Sequence, residues 1–388
     1  MLNWFVSLVQ SCSLSAAMNQ KVKLLDIARA LGISTGTVHR ALHNHNGVSP
    51  VTKARVQQMA KTLGYRPNLA ARYLSSKRSL RISVNTLQGT TSFWDDVRAG
   101  ISEEARALMM ENVEIEYRTY PRLGEGEEEA FESALNAQVD GIISFPSRPQ
   151  SLESWMSRAS HEGTPVVCVA TDAPDTGRLA VVSVDTQASG SLAADLMGKL
   201  LRGAGNIALT CSSLAINEHA EKYRAFEGTL RSLYPQIRIE DPIEDHDVES
   251  EAYEKCRELF RKCPDLAGVY VTTEASLPVL KAARELQMLD RLTVITTDLF
   301  PALVEEIRSQ AVAATIYQRP RTQGRMALRV LHEFLVEGEC SSSQVSLAPH
   351  LVMRGNLDFF LQRQSLESQA QAHRKRANSS AELAEYLG

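Results

Sequence analysis

The chain has 388 residues, 44% of them hydrophobic, 23% charged and 6% aromatic, and a net charge of -4. That length and apolar content exclude a fibrous or disordered protein and suit two or three packed units. No uninterrupted apolar run approaches the roughly 20 residues that cross a bilayer, so no membrane partner is expected. Six scattered cysteines without a CxxC pair read as reduced thiols of a cytoplasmic protein, and neither a disulfide framework nor a zinc site is expected.

Residues 1–19 begin with an apolar run, MLNWFVSLVQSCSLSAA, that has no Lys or Arg ahead of it, unlike a secretory leader. They are expected to be a disordered N-terminus or an upstream start, with Met18 as the true one. From Met18 to Arg81, twelve Lys and Arg stand against one acid, Asp26, so this stretch carries +11 and the remainder -15. A compact head this basic on an acidic body implies a polyanionic partner for the head alone.

Within residues 20–66, Leu24, Leu25, Ile27, Ala28 and Leu31 recur at helical spacing and stop at Gly32, which tolerates the positive φ of a tight turn. Ser34 is placed to cap a second helix running to Leu42, and the small Ala28 allows the two to cross closely, as in a helix-turn-helix. Pro50 to Leu63 predicts a third amphipathic helix, with Val51, Ala54, Val56, Met59, Ala60 and Leu63 available for one small shared core. The head is therefore expected to be all-α.

DIARALGISTGTVHRAL followed by VSPVTKARVQQMAKTLGYRPNLAARYLSS resembles, without a gap, the head and hinge of the LacI family of bacterial regulators. The resemblance implies DNA contacts from Ser34, Thr35, Gly36, Thr37, His39 and Arg40. Thr35 and Gly36 fall at the two specificity positions of the recognition helix, and Arg40 at a position that reaches the major groove. Gly36 has no side chain to read a base and His39 stands where the family usually has Ser, so the operator preference does not carry over. In the hinge, residues 67–79, the resemblance places Asn68, Ala71 and Leu74 in a minor-groove helix, with Leu74 as the wedge that kinks the duplex. The implied partners are a pseudo-palindromic double-stranded operator and a second copy of the chain, in a homodimer or a higher assembly.

From residue 80 to 361 strand-like runs (LRISVNT, VEIEYRT, DGIISF, PVVCVAT, AVVSVD, NIALTCS, IRIE, AGVYVTT, LTVITTD) alternate with helical segments, the pattern of α/β parallel sheets covered on both faces. Breaks near Asp185 and Ile316 predict two Rossmann-like lobes. The N-lobe takes about 80–185 and 318–341, the C-lobe about 186–316 and 342–361, and a ligand cleft lies at the strand C-termini between them.

This body resembles the type I periplasmic-binding-protein fold with which that family senses small molecules. The resemblance implies a small carbohydrate-like effector bound by Phe93, Trp94, Arg148, Asp185, Lys222, Thr273, Glu274, Asp298 and Gln318, with no cofactor and no metal. Phe93 and Trp94 would stack on a sugar ring, and Asp298 and Gln318 would take hydroxyls. Lys222 stands where the family usually has Arg, and Thr273-Glu274 replaces Asn-Asp. If Lys222 and Arg148 both face inward, their surplus charge suits a sugar acid or phosphosugar.

No nucleophile elbow, P-loop, HExxH or GxGxxG after the first strand is present, so no enzyme is expected, and the acidic run Glu125 to Glu129 reads as a solvated helix start. A sugar-binding transport-type protein without a DNA role would share the body but lack the basic head. The tail, 362–388, is weakly apolar and is expected to be an oligomer contact or disordered. The sequence thus points to a DNA-binding transcription regulator, a repressor in the commoner family outcome, under the control of a carbohydrate-like effector.

Overall fold

The computed structural model describes residues 24–42, 47–63, 79–88, 92–108, 113–122 and 124–362. The leader, the hinge residues Asn68, Ala71 and Leu74, and the tail from 363 lie outside the described residues, as does the side chain of His39.

The head is three helices, α1 (Leu24–Leu31), α2 (Thr35–Leu42) and α3 (Pro50–Leu63). Ile27, Ala28, Val38, Ala41, Val56 and Ala60 are buried at their junction, with Leu24, Leu31, Ile33, Leu42, Val48 and Met59 packed around them. Leu25, Val51, Ala54 and Leu63, expected in this core, face solvent. Three such short helices meet along a seam narrower than the apolar stripe of the sequence, and Val56, Met59 and Ala60 fill the share of α3. Gly32 takes φ 65°, and the Ile33 N–H then donates to the Ala28 carbonyl at 3.1 Å, closing α1. Ser34 Oγ accepts from the Thr37 N–H at 3.1 Å and caps α2; Ser49 does the same for α3 through Thr52 at 3.2 Å. Each cap stabilises its helix by about 1 kcal/mol.

In the body the strands are β1 (Leu80–Leu87), β2 (Val113–Tyr120), β3 (Gly141–Ser144), β4 (Val166–Val169), β5 (Ala180–Val184), β6 (Ala204–Cys211) and β7 (Gln236–Ile239). They continue as β8 (Ile243–Glu244), β9 (Leu266–Val271), β10 (Thr293–Thr297), β11 (Ala314–Tyr317), β12 (Gln344–Leu347) and β13 (His350–Val352). The covering helices are α4 (Ser92–Ala107), α5 (Glu127–Asn136), α6 (Pro149–Glu162), α7 (Thr186–Leu200), α8 (Asn217–Leu233), α9 (Glu249–Lys262), α10 (Ser276–Glu285), α11 (Val304–Arg308) and α12 (Pro320–Glu337).

Two sheets result, ordered β12-β5-β4-β3-β1-β2 in the N-lobe and β13-β11-β10-β9-β6-β7 in the C-lobe, with β8 also on β6. The named strands pair in parallel except β13, which runs antiparallel to β11. Central strands such as β3 and β4 are buried along their whole length, which is why the sequence shows unbroken apolar runs there.

β12 pairs with β5, so the N-lobe extends through Leu347 and the C-lobe regains the chain only at β13, later than the boundary expected at 341–342. The reason is that β12 is a short edge strand with alternating exposure, and QVSL carries no apolar run to announce it.

Close backbone contacts hold the elements that carry the site. A Cβ on Gly100 of α4 would run into the Arg321 carbonyl of α12, and one on Gly324 of α12 into the Val97 carbonyl of α4. Ion pairs Arg321–Asp96 (3.0 Å) and Arg329–Glu104 (2.8 Å) flank that crossing. In the C-lobe, Gly190 of α7 likewise abuts the Lys222 carbonyl of α8. Cys168, Cys211 and Cys256 are free and buried, and burial pushes their thiols up to about 12. Among the described residues no helix is long and apolar enough to cross a membrane.

Candidate functional site

On the head, the Ser34 cap fixes where α2 begins and Val38 and Ala41 anchor its inner face. The opposite face presents Ser34, Thr35, Gly36 and Arg40 to solvent, with Thr37 half-buried between Ser34 and the core. A Cβ on Gly36 would meet nothing closer than Ser34 Oγ at 3.8 Å, so the helix surface there is flat and open. A basic group beside a flat capped helix end suits close approach to a phosphate backbone and a base edge.

In the body, a cavity of about 340 Å³ opens between the lobes, large enough for a monosaccharide. Its lining comes from segments that follow strand C-termini or begin the next helix. The N-lobe wall is mainly apolar: Leu87 ends β1, Phe93 and Trp94 open α4, and Pro121 with Arg122 follows β2. Phe93 and Trp94 meet edge to face at 4.8 Å, and Trp94 packs in the same way on Phe145 at 4.5 Å. These contacts hold two aromatic rings at the cleft without filling it.

The C-lobe wall is a polar chain. Lys222, 1% exposed, pairs with Glu218 one turn earlier on α8 (2.5 Å) and donates to Gln318 Oε1 (3.3 Å) and the Thr272 carbonyl (3.4 Å). Gln318 in turn donates from Nε2 to Asp298 Oδ2 (2.7 Å) and from its backbone N–H to Oδ1 (3.1 Å). Burial alone depresses an ammonium, but the Glu218 carboxylate outweighs it and raises the Lys222 value above the ordinary one. For Glu218 the balance is the same in mirror image: burial pushes its carboxyl up, and Lys222 pulls it below the usual range. Burial lowers His219, so this ring is neutral; its Nδ1 accepts from the Ser212 N–H (3.2 Å), which leaves the proton on Nε2, 3.2 Å from Glu218. Burial raises Asp298 to about 6, still ionised at neutral pH.

Four non-glycine residues of the lining, Ala170, His246, Asp247 and Asp298, have left-handed φ between 54° and 66°. Each such conformation costs on the order of 1–2 kcal/mol, a strain that clusters at binding sites. Asp247 is held by the Ser212 hydroxyl (2.8 Å), and its N–H donates to the buried Asp245 (3.0 Å). Glu274 crosses the cleft: its Oε1 accepts from the Phe93 N–H at 2.6 Å.

Of the nine effector residues expected from sequence, Phe93, Trp94, Lys222, Thr273, Glu274, Asp298 and Gln318 line this cavity, whereas Arg148 and Asp185 do not. Pro149 starts α6 immediately after Arg148 and leaves that side chain exposed on Gly124, where an added Cβ would sit 2.8 Å from its Nε. Asp185 caps α7 by accepting from the Ala188 N–H (2.8 Å) and lines a second cavity. The surplus of inward cations is therefore absent, since Arg148 is outside and Lys222 is answered by Glu218. Nor is the acidic run a solvated helix start throughout: Glu127 is buried and accepts from the Gly124 N–H (2.7 Å), the Ser147 N–H (3.1 Å) and the Ser147 hydroxyl.

Glu218, His219, Asp247 and Thr272 are cleft residues that sequence reasoning missed. The i,i+4 spacing of Glu218 and Lys222 on one helix was a usable signal for the first. The others carry no local pattern.

Residues 82–339 match the family described as "Periplasmic binding protein domain", and residues 23–68 match "Bacterial regulatory proteins, lacI family". Catabolite control protein A of Staphylococcus epidermidis is 25% identical over 341 residues, covering 86% of this chain and 98% of that protein. The protein of the same name from Priestia megaterium is 26% identical over 337 residues, covering 85% and 97%. Among solved structures, the glucose-galactose binding protein GanP of Geobacillus stearothermophilus superposes with TM-score 0.67 at 23% identity, over 72% of this chain and 99% of that one. A fructose binding periplasmic domain of a hybrid two-component system superposes with TM-score 0.72 at 17% identity, over 77% and 99%. These superpositions establish a shared fold.

Proposed function

Because the chain belongs to the periplasmic-binding-protein domain family and carries a head that matches the lacI family of bacterial regulatory proteins, we propose that it is a DNA-binding transcription regulator controlled by a small carbohydrate. The observation that carries this reading is the joint presence of a capped helix with Thr35, Gly36 and Arg40 on its open face and a cavity of about 340 Å³ with aromatic rings facing hydrogen-bonding side chains. The names of the relatives agree with it: catabolite control for the full-length ones, glucose, galactose and fructose binding for those that share the body.

The working form is a homodimer whose two heads read a pseudo-palindromic operator in the cytoplasm, where the DNA is. In it the hinge residues Asn68, Ala71 and Leu74 contact the minor groove, with Leu74 as the wedge between base pairs. A sugar ring stacks on Phe93 and Trp94 while Asp298, Gln318 and Thr273 take its hydroxyls; binding shifts the lobes and with them the population of DNA-competent dimers. Repression is the proposed outcome, and no chemical step is assigned to the chain.

The test is selection of binding sequences from random duplex DNA with the full-length chain, followed by anisotropy titrations at several salt concentrations, with and without glucose, galactose or fructose. An enriched two-fold motif, an affinity that falls steeply with salt and a shift on adding sugar are expected. Arg40→Ala should weaken the selected site by about 1–3 kcal/mol relative to random DNA. No enriched motif, with sugar binding intact, would leave a sugar-binding protein without a DNA role.

A further inference from the structure

We propose that Glu274 sets the charge of the effector: by seating its carboxylate on the N-terminus of α4 from the opposite lobe, it closes the cleft to anionic carbohydrates and keeps it for neutral ones. The proposal rests on the carbohydrate reading above and goes beyond it by naming the ligand class and the residue that selects it.

The first N–H groups of a helix have no partner within the helix and attract anions. In α4 the Phe93 N–H sits beside the aromatic wall, where an acidic group on a stacked sugar would seek it. Glu274, 181 residues away in sequence, already holds this donor at 2.6 Å. The remaining charges do not make up for that. Glu218, Asp247, Glu274 and Asp298 line the cavity, against Lys222, Arg122 and the imidazoles of His219 and His246, the latter 3.0 Å from Glu251. Lys222 is bound to Glu218, and Arg122 lies at the rim, its side chain 69% exposed beside Glu125 at 3.4 Å. A uronate or sugar phosphate would thus meet a like charge at the helix end and an excess of carboxylates around it, whereas the hydroxyls of a neutral sugar find acceptors in Asp298 and Glu274 and a donor in Thr273.

The full-length chain and its Glu274→Gln variant, which keeps an acceptor for Phe93 but loses the charge, should be titrated calorimetrically. The probes are D-glucose, D-galactose and D-fructose, then D-glucuronate, D-galacturonate and the 6-phosphates of glucose and fructose. Wild type is expected to prefer the best neutral sugar over its anionic counterpart by about tenfold or more, and E274Q to narrow that ratio by a similar factor. Equal binding of acid and neutral forms by wild type, or a ratio unmoved in E274Q, overturns the proposal. If none of these sugars binds either protein, the carbohydrate reading fails, and amide hydrogen exchange at Phe93 decides the role of Glu274 separately. Faster exchange in Glu274→Ala upholds the interlobe seat, and unchanged exchange overturns it.

Discussion

The two walls of the cleft are built on different physics. The N-lobe wall is a pair of aromatic rings fixed by edge-to-face contacts and by a glycine-tight crossing of α4 on α12. It depends on packing. The C-lobe wall is a relay of ionised and hydrogen-bonded groups, Glu218–Lys222–Gln318–Asp298, nearly all of it buried. There each charge is tolerated because the next one answers it, so damage at one member is felt by the others.

Removing one charge of the relay should show this most strongly. Lys222→Met leaves Glu218 buried without its cation and is expected to cost about 3–5 kcal/mol in denaturant unfolding of the body, most of it recovered in the double variant with Glu218→Gln. A loss below about 1 kcal/mol would mean that water answers Glu218 in place of Lys222.

The pH dependence of the same wall follows from Asp298, raised by burial from 3.8 to about 6. Between those values the folded chain keeps a proton that the unfolded chain has released. The contribution of this group to stability is therefore highest on the acid side and declines as pH climbs through about 6. Relative to Asp298→Asn, wild type should lose on the order of 2 kcal/mol between pH 4 and 7, read from unfolding midpoints across that range. A difference between the two proteins that does not change with pH would contradict the raised value.

The aromatic wall should respond in binding. Trp94→Ala is expected to weaken the bound sugar by about tenfold, since a ring face is lost while every hydrogen bond of the opposite wall remains. Calorimetry compares it with Gln318→Ala, whose loss should fall mainly on binding enthalpy. As a control outside the cleft, Ser34→Ala should lower the stability of the head by about 1 kcal/mol and leave sugar affinity unaltered.

Much of this was legible in the chain. Gly32, Ser34 and the apolar spacing of α1 and α2 identify the head because turns and caps are local chemistry. The buried strands β1, β3, β4, β9 and β10 are visible because a sheet covered on both faces demands unbroken apolar runs. Edge strands β12 and β13 were not, since short strands with one open face carry no such run. At the cleft, the family resemblance placed the aromatic pair and Asp298, and Asp298 also stands directly after a strand. Arg148 and Asp185 occupy comparable positions and yet face elsewhere, because one lies against Gly124 and the other spends its carboxylate on the N-terminus of α7.

By itself the sequence determined the segregation of charge, +11 in the head against -15 in the rest, and with it the polyanionic class of partner that the head can meet. It also determined the order of helices and strands, since periodicity, caps and turns act over a few residues. Only the tertiary structure decided which charges face the cleft and which cancel one another. Lys222 meets Gln318 96 residues away, and Glu274 reaches Phe93 across 181. The electrostatics of a buried site are set by such distances in space, which no local pattern encodes.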